Sequence, residues 1–381
     1  MNRIQYTTDS TQLQFENPTV LRTDIRKFHT IVRVSAYSNL IMFLELLFMK
    51  KRLSVFFLTT GLLFSSLTPV RTLATDTSEL ESVTLSEVAH SIFYAPQYVA
   101  YEQGYFIDEG LNVTITTAFG SDKVMAALLS DSAEIGLMGC ESTIYAYNEG
   151  AADTILNFAQ LTQRAGNFLI AREPMSDFKW SDLKGHTVLG GRKGGMPEMV
   201  FEYILKNNGL DPATDLTIDQ SIDFGSTGAA FTSGLGDFTV EFEPSATALE
   251  KEGAGYVVAS LGVDSGYVPY TSYCCKSSYL DTHSDVVQKF TNALQKGVDY
   301  VLTHTPEETA SVIAPQFAES DLDTITKIVD RYLSQDTWKP SLIFDQDHFT
   351  TLQDILESAD ELTERVPYEE LIVTDYADQA S

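Results

Sequence analysis

Residues 90–113, HSIFYAPQYVAYEQGYFIDEGLNV, restrict the fold more than any other part of the chain. They read as a strand end, a short aromatic loop, a helix opened by Pro96 and closed by Gly104, and a second strand. Proline suits a first helical turn because the N–H it lacks would be unpaired there. Glycine suits the left-handed residue past the last turn. Such a strand–helix–strand unit puts its first loop, residues 91–94, at the carboxyl end of a strand, where open α/β sheets hold small ligands. Ser91, Phe93 and Tyr94 are therefore candidate ligand contacts, and the two rings are suited to stacking on a planar molecule.

The same alternation continues. Strands are expected over residues 83–89, 112–117, 134–138 and 154–160, with helices over 122–130 and from about 142. Alternating strands and helices predict a mostly parallel sheet. Near residues 167–172 the chain leaves this unit and starts a second one, with strands over 186–189, 216–221, 238–242 and 255–260. A second crossing follows over 268–273, and the rest reads as helical. Val286, Phe290, Ala293, Leu294, Gly297, Val298 and Val301 keep the spacing of one packed helix face. Further helices are expected over 307–317, 321–334 and 349–363. The expected organisation is a first lobe over 83–170, a second over 171–267, and a return to the first over 268–376. Two lobes joined by two crossings make a hinged clamshell, a shape that closes on ligands.

Residues 49–74 read as a signal peptide: Lys50, Lys51 and Arg52 precede an apolar run and small residues near Ala74. Residues 1–48 read as a gene-model extension. No cysteine lies near the cleavage point, so a lipid anchor of the usual kind is not expected, and the product is read as secreted or associated with the cell surface. Beyond residue 74 the chain carries 16 basic and 49 acidic side chains, a net charge of −33. Such a surface repels nucleic acid and anionic membrane. The three cysteines, Cys140, Cys274 and Cys275, form neither a disulfide framework nor a zinc spacing. No metal or cofactor is expected.

Three further places fall on the ligand-facing side. The loop GGRKGGMPEM contributes Arg192, Gly194, Gly195 and Met196, where glycines admit a ligand to the backbone and helix-start N–H groups receive an anion or a carbonyl. It matches neither a phosphate-binding P-loop nor a dinucleotide fingerprint. Gly139, Glu141 and Ser142 follow another strand, with Ser142 a candidate helix cap and Glu141 directed to the cleft. Glu241, Phe242 and Glu243 end a strand of the second lobe, the two carboxylates on one face and the ring on the other. Either carboxylate would suit the amino groups of a nitrogenous ring. Tyr270, in the second crossing, reads as a lid over the ligand or as a buried hinge residue. No nucleophile with an adjacent base follows from the spacing.

These segments, together with EIGLMGCES, DLKGHTVLGGRKGGMPEMVFEYILKNNGLDP and GDFTVEFEPSATALEKEG, resemble the solute-binding proteins of ABC importers in the alkanesulfonate and thiamine-precursor family. The resemblance spans nearly all of residues 83–376. It implies the periplasmic-binding-protein-like clamshell of type II, α/β in class, with the helical C-terminal part packed on lobe one. It further implies a monomer, a small-molecule ligand, and ABC permease and ATPase partners. Phe93, Tyr94, Phe242 and the two glutamates favour a planar nitrogen-containing ligand such as a thiamine-precursor pyrimidine. An alkanesulfonate, taurine or another small anion is the alternative. A different class is a thiamine-pyrimidine synthase-like enzyme, whose cysteine run is absent around Tyr273, Cys274 and Cys275.

Overall fold

The computed structural model describes residues 80–191, 193–222 and 225–380. The extension over 1–48, the signal over 49–74 and the role given to Arg192 lie outside the described residues. Ten strands carry the fold: β1 (Glu81–Glu87), β2 (Leu111–Thr117), β3 (Ile135–Gly139), β4 (Ile155–Thr162), β5 (Asn167–Ala171), β6 (Thr187–Leu189), β7 (Thr217–Asp219), β8 (Phe238–Phe242), β9 (Tyr256–Ser260) and β10 (Thr271–Lys276). They form two five-stranded sheets, ordered β2-β1-β3-β10-β4 and β7-β6-β8-β5-β9. Each sheet is parallel apart from one strand, β10 in the first and β5 in the second. In both cases the odd strand is the first one laid down after the chain crosses from the other lobe.

That arrangement corrects two expectations. Asn167–Ala171 belongs to the second sheet, so the first crossing falls on residues 163–166 and the first lobe ends earlier than residue 170. Residues 271–276 are not a bare crossing but a strand in the heart of sheet one. Their sequence, TSYCCK, lacks an apolar alternation because neighbouring strands and helices bury both faces, leaving Tyr273, Cys274 and Cys275 all inaccessible. The last long helix is also shorter than expected, Gln346–Ser358, with Asp360 left-handed just beyond it.

Elsewhere local rules set the elements. Ala95–Glu102 starts with Pro96 in its first turn, and Gly104 takes φ +75° after its end. The apolar face of Ser284–Thr303 packs on Ala95–Glu102, with Val286, Phe290, Leu294 and Val298 inaccessible. At Gly297 a Cβ would collide with the carbonyl of Pro96, so only glycine permits the helices this approach. The following helices Pro306–Ile313 and Leu322–Ser334 continue over the first lobe, where the second of them meets the turn Ile92–Tyr94. The helical C-terminal part thus lies on lobe one. The crossings are tied together: Val268 N–H donates to the Gln163 carbonyl at 3.0 Å and Arg164 donates to the Gly262 carbonyl at 3.0 Å.

Candidate ligand cleft

The loop after β1 and the end of β8 meet across the two lobes, with aromatic side chains between them. Ser91 caps the short turn Ile92–Tyr94, its Oγ accepting from Phe93 N–H at 3.2 Å. The same hydroxyl donates to the Glu243 carbonyl of the other lobe at 3.1 Å. The Phe93 ring then meets four others: Tyr94 at 5.4 Å, Phe242 at 5.7 Å, Tyr270 at 5.8 Å and Tyr332 at 5.2 Å between centroids. These distances are ordinary for tilted and edge-to-face ring contacts. Lobe one, lobe two, the second crossing and the C-terminal helices each contribute to the cluster. Gly166 lets it form, since a Cβ there would lie 2.5 Å from the Phe93 ring.

Five of the residues singled out from sequence, Ser91, Phe93, Tyr94, Phe242 and Tyr270, therefore come together. Tyr332 was missed because it lies in a helix whose spacing reads as plain core. Its hydroxyl donates to the Gly166 carbonyl at 2.9 Å. Asn167 was missed as well, hidden in a run that reads only as a lobe boundary. It is inaccessible and stands opposite Phe242 in the sheet register.

Glu141 opens the helix Glu141–Asn148, with Cys140 as its N-cap. Ser142 is therefore inside the first turn and does not cap it, which corrects that expectation. The Glu141 carboxylate folds over Gly139, where any Cβ would strike it. Burial first pushes the phenols of Tyr94 and Tyr270 well above their ordinary range, followed by the charges of Glu87 and Glu141 for Tyr94 and of Glu141 for Tyr270. From the same helix, Tyr145 donates to the Met199 sulfur of lobe two at 3.5 Å.

The two glutamates of lobe two are engaged within the protein. Glu241 accepts from Thr239 Oγ1 at 2.7 Å and from Ser245 Oγ at 2.8 Å, and burial raises its pKa. Glu243 accepts from the Thr247 N–H at 2.9 Å and its hydroxyl at 3.0 Å, and pairs with Arg331. Arg331 also meets Glu250 at 2.8 Å, Lys327 meets Glu250 at 2.8 Å, and Lys251 meets Asp321 at 2.8 Å. This row of ion pairs holds the helix Ser245–Lys251 of lobe two against Leu322–Ser334. Both carboxylates are thus held by groups of the protein itself.

At the glycine loop, Gly194 has φ +74° and Gly195 is the N-cap of the helix Met196–Asn207. Met196 is buried, which makes it a packing residue. Glu198 occupies the place an anion would take, its carboxylate accepting from the Gly194 N–H at 3.1 Å and from Gln220 Nε2 at 2.6 Å. Pro197 removes one more donor from that first turn. Burial, then the neighbouring Glu202, push the Glu198 carboxyl up to about 7 from 4.5. Its folded-state pKa is raised, so the native state holds a proton that the unfolded chain releases. Stability should therefore fall as pH rises from about 4.5 to about 7. Thermal melts across that range should show a shallower slope for Glu198→Gln than for the parent protein; equal slopes would refute the assignment.

Cys140, Cys274 and Cys275 are buried, and burial pushes each thiol up. His90 is committed to Glu87 at 3.0 Å and to the Gln316 carbonyl at 2.8 Å. No group of metal-ligating side chains occurs among the described residues, and no helix there is long and apolar enough to cross a membrane. A surface cavity of about 250 Å³ lies among Glu81, Asp131, Glu134, Lys276 and His283, at the amino end of β1 and away from the rings.

Comparison with known proteins agrees with this geometry. Residues 92–309 match the family model described as NMT1/THI5 like. YtlA of Bacillus subtilis (strain 168), a candidate binding protein by name, is 43% identical over 302 residues, 79% of this chain and 90% of that protein. Among solved structures, a ligand-binding component of an ABC-type import system from Staphylococcus aureus with zinc bound aligns with a TM-score of 0.64 at 13% identity. It covers 79% of this chain and 99% of its own. The alkanesulfonate-binding protein SsuA from Xanthomonas axonopodis pv. citri, bound to MOPS, aligns with a TM-score of 0.61 at 17% identity, covering 77% and 98%. At such identities the likeness speaks for the fold, which is the type II periplasmic-binding-protein clamshell.

Proposed function

The chain belongs to the NMT1/THI5-like family, and from that premise we propose that it is the extracytoplasmic solute-binding component of an ABC importer, taking a planar nitrogen-containing ring such as a thiamine-precursor pyrimidine. The carrying observation is the ring cluster of Phe93, Tyr94, Phe242 and Tyr270, which joins both lobes and a crossing at one point. Planar ligands gain most from such a surface, because each stacked or edge-on ring contact adds to the area removed from water. Glu198 at the glycine loop supports the same choice. An anionic ligand seated on that helix start would have to displace a carboxylate that already holds the Gly194 N–H.

Capture follows from hinge motion. The rings of Phe93 and Phe242 touch each other, so a ligand ring enters only when the lobes part by about 3.5–4 Å, the thickness of one more aromatic layer. The crossings at residues 163–166 and 265–270 are the segments able to turn. Closure then buries the ligand and joins the two lobe surfaces into one face for the permease. A bound ring replaces the Phe93–Phe242 contact with ring-to-ligand contacts, and so favours the lobe spacing that accommodates one more aromatic layer.

A thermal-shift panel tests the ligand class. 4-Amino-2-methylpyrimidine and its 5-hydroxymethyl derivative are expected to raise the midpoint of the protein by several degrees at millimolar concentration. Taurine, hexanesulfonate and nitrate are expected to leave it unchanged. Stabilisation by the sulfonates with none from the pyrimidines would overturn the proposed ligand.

A further inference from the structure

The cleft contains two buried side chains whose polar atoms meet no partner in the protein. Asn167 has neither its Nδ2 nor its Oδ1 hydrogen-bonded, and the Tyr270 hydroxyl is likewise unpaired. Asn167 is inaccessible and Tyr270 is 4% exposed. Both lie where the lobes join, Asn167 at the start of β5 directly after the first crossing, Tyr270 at the end of the second. Antiparallel partners share a sheet face, so the amide of Asn167 stands on the same side as the Phe242 ring. That ring is 6.1 Å from Tyr270 and 5.7 Å from Phe93. The unpaired amide and hydroxyl thus border the ring cluster.

Burying such groups without partners is costly, and native proteins rarely leave both ends of an amide unmet. We propose that Asn167, assisted by the Tyr270 hydroxyl, reads the polar edge of the ligand, selecting a ring that carries a hydrogen-bond acceptor beside a donor. This rests on the ligand reading above and narrows it. A carboxamide offers one donor and one acceptor in a single plane, and its complement is an amino group next to a ring nitrogen, the edge of a 4-aminopyrimidine. Asparagine pairs with adenine in DNA through the same donor–acceptor match. A sulfonate or nitrate offers acceptors alone and leaves Oδ1 unmet.

The experiment is a calorimetric titration of the parent protein, Asn167→Leu, Asn167→Asp and Tyr270→Phe with 4-amino-2-methylpyrimidine and with 2-methylpyrimidine, which lacks the amino donor. The parent is expected to prefer the amino compound by at least about tenfold, the worth of one good hydrogen-bonded match. In Asn167→Leu that preference should fall to about one, while the melting midpoint without ligand holds or rises, because an unmet amide has been removed. Asn167→Asp, nearly the same in shape, keeps the test valid if the leucine variant fails to fold. Its preference should change from that of the parent, and its affinity for the amino compound should strengthen as pH falls and the ring takes up a proton. Tyr270→Phe should weaken both ligands. An undiminished preference in folded Asn167→Leu, or, where that variant fails to fold, a preference and pH response in Asn167→Asp equal to those of the parent, overturns the role of Asn167 and leaves the ligand reading standing. Failure of the parent to bind either pyrimidine overturns that reading and this inference together.

Discussion

Phe93→Ala is expected to lower the free energy of unfolding by about 3–5 kcal/mol, the usual cost of truncating a buried phenylalanine, and to abolish measurable ligand capture. Phe93 is 1% exposed, and its ring is the one that touches Tyr94, Phe242, Tyr270 and Tyr332 together. Its backbone carbonyl also accepts from Trp338 Nε1 at 2.9 Å, so the loop keeps one anchor in the variant. Urea denaturation reads the first effect and calorimetry the second. Phe93→Leu should recover most of the stability, since it retains apolar volume, but not the ring contact with the ligand. Recovery of full affinity by leucine would show that the position fills space and does not stack.

The second large effect is expected at Glu87, at the carboxyl end of β1 just before the turn Ile92–Tyr94. Its side chain is inaccessible and accepts from Gln97 Nε2 at 2.7 Å, Tyr98 hydroxyl at 2.7 Å and Thr117 Oγ1 at 2.8 Å, with His90 at 3.0 Å. Gln97 in turn accepts from the Tyr273 hydroxyl at 2.9 Å, which brings β10 into the same network. Removing the carboxylate strands several buried donors at once, and Glu87→Ala should cost about 3–5 kcal/mol, as for a broken buried charged pair. Glu87→Gln should cost less while changing the pH response. In the parent, Glu87 is the main cause of the raised His90 pKa. The stability contributed by that shift is present below the ordinary imidazole pKa of 6.5 and is lost as pH rises through the raised value. Melting curves from pH 5 to 9 should show this loss in the parent and a weaker one in Glu87→Gln. Identical profiles would contradict the pairing.

Where local chemistry decides, the sequence is explicit. Pro96 and Gly104 bracket a helix, the run Ile135–Gly139 is apolar enough to declare a buried strand, and the helix at 284–303 announces its buried face. Where burial on both sides or long-range pairing decides, it is not. β10 carries Thr, Ser, Tyr, Cys and Lys, and only its pairing with β3 and β4 makes it a central strand. The same holds for the cleft. Phe93 and Tyr94 are visible because a loop after a strand is a known ligand position, and Phe242 because it ends another strand. Glu241 and Glu243 are visible too, but the hydroxyls and the guanidinium that engage them come from Thr239, Ser245, Thr247 and Arg331, and Arg331 lies 88 positions from Glu243. Glu198 is concealed for the same reason: that it closes its own glycine loop is a fact of folded geometry. Asn167 gives no local sign, because its partner Phe242 is found only once the sheet is assembled.

The account's central claim is that one ligand ring enters the aromatic cluster between the lobes. A crystal structure of the protein grown with 4-amino-2-methylpyrimidine tests it most directly. Density for the ring is predicted between Phe93 and Phe242, with its amino edge toward Asn167 and Tyr270. Density instead at the Gly194 loop or in the cavity beside Glu81 and His283, with the Phe93 and Phe242 rings still in contact, would contradict it.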